Sequence, residues 1–367
     1  MADALSAMTP EQLAATPAGM PPPSVTPNFT NPASSAPVVI AVSSVLMLIM
    51  SIFAAVRCYV KVAIRHSVTS DDWTTLAAVI GTFWYFAICI HAVTKAKFGT
   101  HMWDMTVAHT LSDDFLIASF FTNWPTALVW ALAKSSFFLM YLQIFGRLTW
   151  LRLSVYIGLF VNWGFYIGVI VASFYYQVPN PGQTWQEGFT NPRYTDSFNM
   201  TIPIASGSLV LDFYIFLLPL IAVRNLQLSP QKKLGVAAVF ATGVIACIAS
   251  SLSIYFKHNL NHHMDDYTFR TYPVLLMALI EMCVGISCSC MPSAAGFLKN
   301  KGGGGNRWGS SAISMLRSLL QQNRHKNISE QSDLPPRDPR KGPYVDVEMN
   351  DSTARALNYG GNQVSIA

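Results

Sequence analysis

Charge is the scarce ingredient of this sequence. Asp, Glu, Lys and Arg make up 12% of its 367 residues, against 51% hydrophobic residues. The mean hydropathy is +0.34. A soluble domain carries roughly 25% charged residues, so that class is excluded. The first 36 residues contain no Lys or Arg. They therefore lack the basic start of a signal peptide, and no short apolar core follows. Cysteine is sparse as well: six residues, all in or beside apolar stretches. No extracellular disulfide framework is expected from them. No Walker loop, HExxH or GxSxG occurs, which removes the familiar nucleotide-binding and hydrolytic motifs. The net charge of +5 belongs to loops and tail and does not make a nucleic-acid surface.

What is present is a series of seven apolar stretches. They cover residues 37–63, 73–93, 115–145, 151–175, 201–223, 234–256 and 272–291. Each is about 20 residues or longer, the length that crosses a hydrocarbon core of roughly 30 Å as a helix. Helices satisfy their own backbone polar groups in lipid. The expected fold is all-α: a polytopic protein of seven transmembrane helices. Span 3 exceeds what a bilayer needs and should tilt or project, with Pro125 as a kink point.

Lys and Arg sort by side. The loops after spans 1, 3 and 5, together with the tail, hold 18 of them, and the opposite side holds 5. The remaining one, Lys134, lies inside span 3. The positive-inside rule puts the N-terminus outside and the tail in the cytosol. On this layout Asn28-Phe29-Thr30 and Asn199-Met200-Thr201 are N-glycosylation acceptors on the outer side. Three domains follow. Residues 1–36 are Pro-, Ala-, Ser- and Thr-rich and expected to be disordered. Residues 37–298 form the membrane bundle. Residues 299–367 form a cytosolic tail, with an interfacial helix over 308–322 as one reading and a partly helical linker as the other.

Three ionisable residues fall inside spans: Lys134, Asp212 and Glu281. Each is costly in lipid and should face the bundle interior. At about 1.5 Å per residue, Lys134 lies about 20 Å from Arg147 and Asp212 about 18 Å from Arg224. Glu281 lies about 27 Å from Lys299, nearer the outer mouth. Lys134 and Asp212 are thus expected to pair, and Glu281 to lack a level-matched cation. The three are candidates for a ligand pocket, a proton relay or a switch; a packing ion pair is the plainer reading. Span 7 contains no lysine, so no retinal cofactor is expected. The pairs Asp71-Asp72 and Asp113-Asp114 follow serines at span starts, where capping and the helix dipole explain them. Asp265-Asp266 follows His262-His263, a weak metal-binding pattern; no metal is assigned.

Several motifs recur in a fixed order. Ser70-Asp71-Asp72-Trp73 opens span 2, and Gly99-Thr100-His101-Met102-Trp103-Asp104 fills the next loop. Lys134-Ser135-Ser136, then Asp212 with Leu217-Leu218-Pro219, then Leu226-Gln227-Leu228 and Lys232-Lys233 follow. Glu281 and Pro292 mark span 7. With these the chain resembles fungal integral membrane proteins with a rhodopsin domain, the satratoxin-cluster type and receptor-like group, over roughly residues 37–298. The resemblance implies seven helices with the N-terminus outside. It also implies that "rhodopsin" describes layout, since these proteins lack the span-7 lysine. Relatives often carry Cys-x-Pro before a Trp after span 4. Here Val178, Pro179 and Trp185 stand without the cysteine, so a loop-pinning disulfide is not expected.

Two main functional expectations result. One is a receptor-like protein sensing a small molecule, with Gly99, His101 and Trp103 as the outer-loop motif and loop 224–233 and the tail meeting cytosolic partners. The other is an accessory membrane protein of a secondary-metabolite gene cluster, in transport, export or self-protection. A membrane-embedded enzyme is the weakest, because only lone carboxylates support it.

Overall fold

The computed structural model describes residues 8–64, 66–146, 148–224 and 230–301, with the side chains of 223–242 and 294–301 left aside. Its long helices are α2 (Ala36–Tyr59), α3 (Ser70–Thr94), α6 (Trp124–Phe145), α7 (Thr149–Gln177), α10 (Thr201–Arg224), α11 (Pro230–His262) and α12 (Tyr267–Lys301). Shorter helices lie between them: α1 (Pro10–Ala15), α4 (Val107–Thr110), α5 (Asp113–Phe121), α8 (Trp185–Thr190) and α9 (Pro192–Asp196). Among the described residues the protein is all-helical, and six helical segments are long and apolar enough to cross a membrane. α11 packs between α10 and α12.

The long helices form a ring in the order α2, α3, α6, α7, α10, α11, α12, closing on α2, and α12 also touches α6 across the middle. α6 and α12 are accordingly the most buried segments. Large apolar side chains point out of the ring: Phe160, Val171, Val210 and Ile80 are all exposed. That is unfavourable in water and natural against lipid tails.

Helix ends follow local chemistry. Thr69 and Asp72 form a capping box at the start of α3. Thr122 and Asn123 separate α5 from α6, and Pro125 occupies the first turn of α6, where a missing N–H costs nothing. The expected kink in span 3 is therefore a break just before the proline. At the end of α2 the helix widens into a π turn, Val60–Ile64. This turns Lys61 inward, so that Arg57 and Lys61 are both buried.

Residues 8–35 differ from the expectation of disorder. Thr9 and Gln12 form a capping box on α1. Ala18 N–H donates to Met105 O, Val107 N–H to Thr16 O, and Ser35 N–H to Gly99 O, at 2.8, 3.0 and 2.9 Å. Asn28 N–H donates to Asp104 Oδ1 at 2.8 Å. The segment lacks apolar residues for a core of its own, but its backbone groups find partners on the 100–107 loop. The expected interfacial helix over 308–322, the rest of the tail, and loop 225–229 lie outside the described residues.

Candidate functional site

The centre of the bundle holds a polar cluster built from five helices. Lys134 of α6 places its ammonium 2.5 Å from Asp212 Oδ1, 2.8 Å from Ser208 O and 3.0 Å from Ser208 Oγ, both residues being on α10. Ser250 of α11 donates to Asp212 Oδ2 at 2.6 Å. Glu281 of α12 lies 3.9 Å from the same ammonium and accepts from Ser208 Oγ at 3.2 Å. Tyr166 of α7 meets Ser208 Oγ at 3.0 Å. Ser208 and Asp212 are four residues apart, one helical turn, so α10 presents both to one lysine.

The expected pairing of Lys134 with Asp212 is present. The expected isolation of Glu281 is not. Glu281 shares the level of Lys134 because α12 runs on to Lys301. Lys299 is thus a marker set further along its helix than Arg147 or Arg224 on theirs. A second correction concerns Lys257, counted above among loop charges. α11 continues to His262, and Lys257 is 7% exposed, inside the bundle, with its ammonium 5.3 Å from the Trp130 ring centre.

A cavity of about 120 Å³ opens above the cluster toward the end that carries residues 8–35. Its walls include Tyr85, Trp130, Val169, Tyr194, Leu260 and Ala278, and Lys257 lines its depth. A second, water-sized space of about 10 Å³ lies between Lys257, Trp130, Ser208 and Glu281. Lys257 and Trp130 thus stand between a chamber of mixed apolar and polar lining and the charged cluster.

His101 is engaged elsewhere. Its ring stacks between Trp103 and Phe269, with centres 4.2 and 4.0 Å away. Its Nδ1 lies 2.7 Å from Asp266 Oδ2, and Met102 N–H donates to Asp266 Oδ1 at 3.0 Å. Gly99 adopts φ +92°, a left-handed conformation natural to glycine, and donates to Thr268 O at 3.0 Å. The Gly99, His101 and Trp103 motif therefore ties the 100–107 loop to the start of α12. Asp266, considered above for a metal, is occupied by this knot. Among the described residues no group of three or more His, Cys, Asp or Glu side chains gathers.

At the opposite end Arg57 pairs with Asp71 and with Asp72, the latter at 3.0 Å. It also donates to Ser289 O of α12 at 2.5 Å. Lys61 joins at 3.0 Å from Asp72 Oδ2, and Gln143 of α6 donates to Asp71 and Thr69. Capping accounts for Asp72, as expected; Asp71 serves as a buried ion-pair partner as well. Asn28 and Asn199 are both exposed. Asn28 closes a local turn with Asn31, and Asn199 sits just before α10.

A profile described as "Fungal rhodopsin domain" matches residues 56–300. The chain belongs to the fungal rhodopsin domain family. A SAT4 family membrane protein of Emericella nidulans is 25% identical over 241 residues, covering 64% of this chain and 60% of that relative. "Fugralins biosynthesis cluster protein 2" of Gibberella zeae is 24% identical over 303 residues, covering 78% and 71%. The chain thus spans less than two thirds of the Emericella relative. No solved structure matches it. This fungal rhodopsin domain is an integral membrane domain, as its apolar helices require.

The family name raises the question of a retinal Schiff base. The ammonium of Lys134 is held by Ser208 and Asp212, and Lys257 opens on only about 120 Å³. Lys134 is fully engaged and Lys257 faces a chamber too small for a long polyene, so these two lysines do not fit that cofactor. Sequence reasoning missed Ser208, Ser250, Trp130 and Lys257. The serines carry no signal among many in the spans. Lys257 lies one residue past the apolar run, and only the continuation of α11 shows it to be internal.

Proposed function

We propose that the chain is a seven-helix, receptor-like membrane protein that senses a small molecule. In this reading the N-terminus is outside, α11 is the remaining membrane span, and the tail is cytosolic. It acts by binding, without an enzymatic step. The observation that supports it is the chamber above Lys257 and Trp130, leading to one lysine that faces two carboxylates. Lys134 bonds Asp212 at 2.5 Å and stands 3.9 Å from Glu281. A shift of that ammonium between carboxylates on α10 and α12 is a two-position element of the kind a ligand can bias. In this reading the 224–233 segment and the tail meet cytosolic partners.

The test is Glu281→Gln in cells, a change of similar shape that removes one position. Expression at the membrane should persist while the transcriptional response to the added small molecule is lost. An unchanged response rejects Glu281 as part of the switch.

The name of the Gibberella relative supports a second reading: an accessory membrane protein of a biosynthetic cluster, in transport, export or self-protection. The two separate in a deletion strain. A receptor leaves the medium-to-cell distribution of the cluster metabolite unchanged but abolishes the response to it. An accessory protein alters the distribution or the tolerance.

A further inference from the structure

We propose that the chamber between α6, α7, α10, α11 and α12 binds a small organic carboxylate, with its carboxylate on Lys257 and the Trp130 indole N–H. The proposal rests on the sensing reading above and names the ligand class for it.

The argument starts from donors that lack acceptors. Lys257 is 7% exposed and Trp130 8%. Trp130 Nε1 is buried without an acceptor, and among the described residues no hydrogen bond or ion pair engages Lys257 Nζ, which lies over the Trp130 ring. Buried donors are ordinarily satisfied, and an exception points to a missing partner. The contrast with Lys134 is direct, since that ammonium contacts three oxygens. The face of the Trp130 ring supports the charge of Lys257, and Glu281 borders the same water-sized space. Neither occupies the N–H groups of the ammonium.

Both residues line the chamber, and a donor N–H together with a cation suits a group with acceptor oxygens and negative charge. A carboxylate meets both conditions. The walls beyond it decide the rest of the ligand. Tyr85, Val169, Ile204, Leu260, Val274 and Ala278 give part of the chamber an apolar wall, beside polar groups such as Thr126, Ser173 and Gln177, which suits a compact aromatic body. A volume of about 120 Å³ approaches that of engineered cavities that accept benzene, about 150 Å³. Gln177 Oε1, also without a partner, lines the same chamber and can accept from a hydroxyl on the ligand.

The test uses the full chain in lipid nanodiscs and ligand-observed fluorine NMR. The probes are para-fluorobenzoate and para-fluorophenylacetate, each beside its uncharged amide of the same shape. Carboxylates should bind at least about tenfold more tightly than amides, the discrimination of one charge-assisted hydrogen bond. Lys257→Gln should erase the preference and Lys257→Arg should keep it. Trp130→Phe, which keeps the charge and removes one N–H, should weaken carboxylate binding by about threefold to tenfold. If Lys257→Gln fails to fold, Lys257→Arg and Trp130→Phe still decide. Equal binding of amide and carboxylate overturns the proposal and leaves the sensing reading standing. Displacement of the probe by physiological chloride overturns it in favour of a halide site. No binding by any probe overturns it as well, and the sensing reading then stands or falls on the Glu281→Gln response.

Discussion

Lys134 and Asp212 meet at 2.5 Å across α6 and α10, deep in the bundle. Their side chains are 5% and 11% exposed. Such a pair owes its worth to mutual compensation, because either charge alone in a dry interior is strongly unfavourable.

Removing one partner should therefore cost more than removing both. Lys134→Met or Asp212→Leu alone is expected to lower stability by about 3–5 kcal/mol. The double change should recover a large part of that loss. Thermal melts in detergent check this, and strictly additive effects would show that the two are uncoupled.

The Arg57 cluster should behave as a clasp between α2, α3 and α12. Arg57→Gln leaves Asp71 buried with a weakened counter-charge and frees Ser289 O. We expect a loss of about 3–5 kcal/mol, together with faster hydrogen exchange near Ser289. Stability loss without any change at α12 would mean that the contact to Ser289 carries no weight.

His109 gives the cap on the N-terminal end a pH dependence. Burial, helped by the charge of Lys97, holds its imidazole below the ordinary histidine value. The unfolded ring takes up its proton near pH 6.5, and the folded ring only at lower pH. Between those values the unfolded chain binds more protons, so stability rises with pH. The contribution of neutral His109 is complete above about pH 6.5 and is lost as the pH falls from the unfolded value through the folded one. His109→Gln should flatten that part of the melting-temperature profile; an unchanged slope would assign it to another group.

Orientation is open to direct measurement. A reporter fused after Ala367 should read as cytosolic, and glycosidase should shift the mobility of the chain through Asn28. A glycan on Asn327, in the tail sequence Asn327-Ile328-Ser329 that also fits the acceptor pattern, would reverse the arrangement.

Fold class was readable because lipid imposes a simple rule. Long apolar runs with few charges must become helices, and the runs ending near Ala63 and Val93 became α2 with its π turn and α3. The match of Lys134 to Asp212 was readable for a similar reason, since a constant helical rise converts residue counts into depth. The same ruler failed for Glu281, because its basic marker lay further along α12. Lys257 was missed because polarity alone does not say where a helix ends. The order in residues 8–35 depends on hydrogen bonds to a loop about 75 residues away, such as Asn28 with Asp104, which no local pattern encodes.

The sequence by itself determined that this chain lives in a membrane, which stretches form helices, and that Lys134, Asp212 and Glu281 had to turn inward, because hydration free energy acts on composition and run length. Tertiary structure alone decided which charges share a site. It brought Ser208, Asp212 and Glu281 to one lysine and left Lys257 and Trp130 facing a cavity. Those relations depend on helix order around the ring and on the rotation of each helix, and both are set by packing between segments distant in sequence.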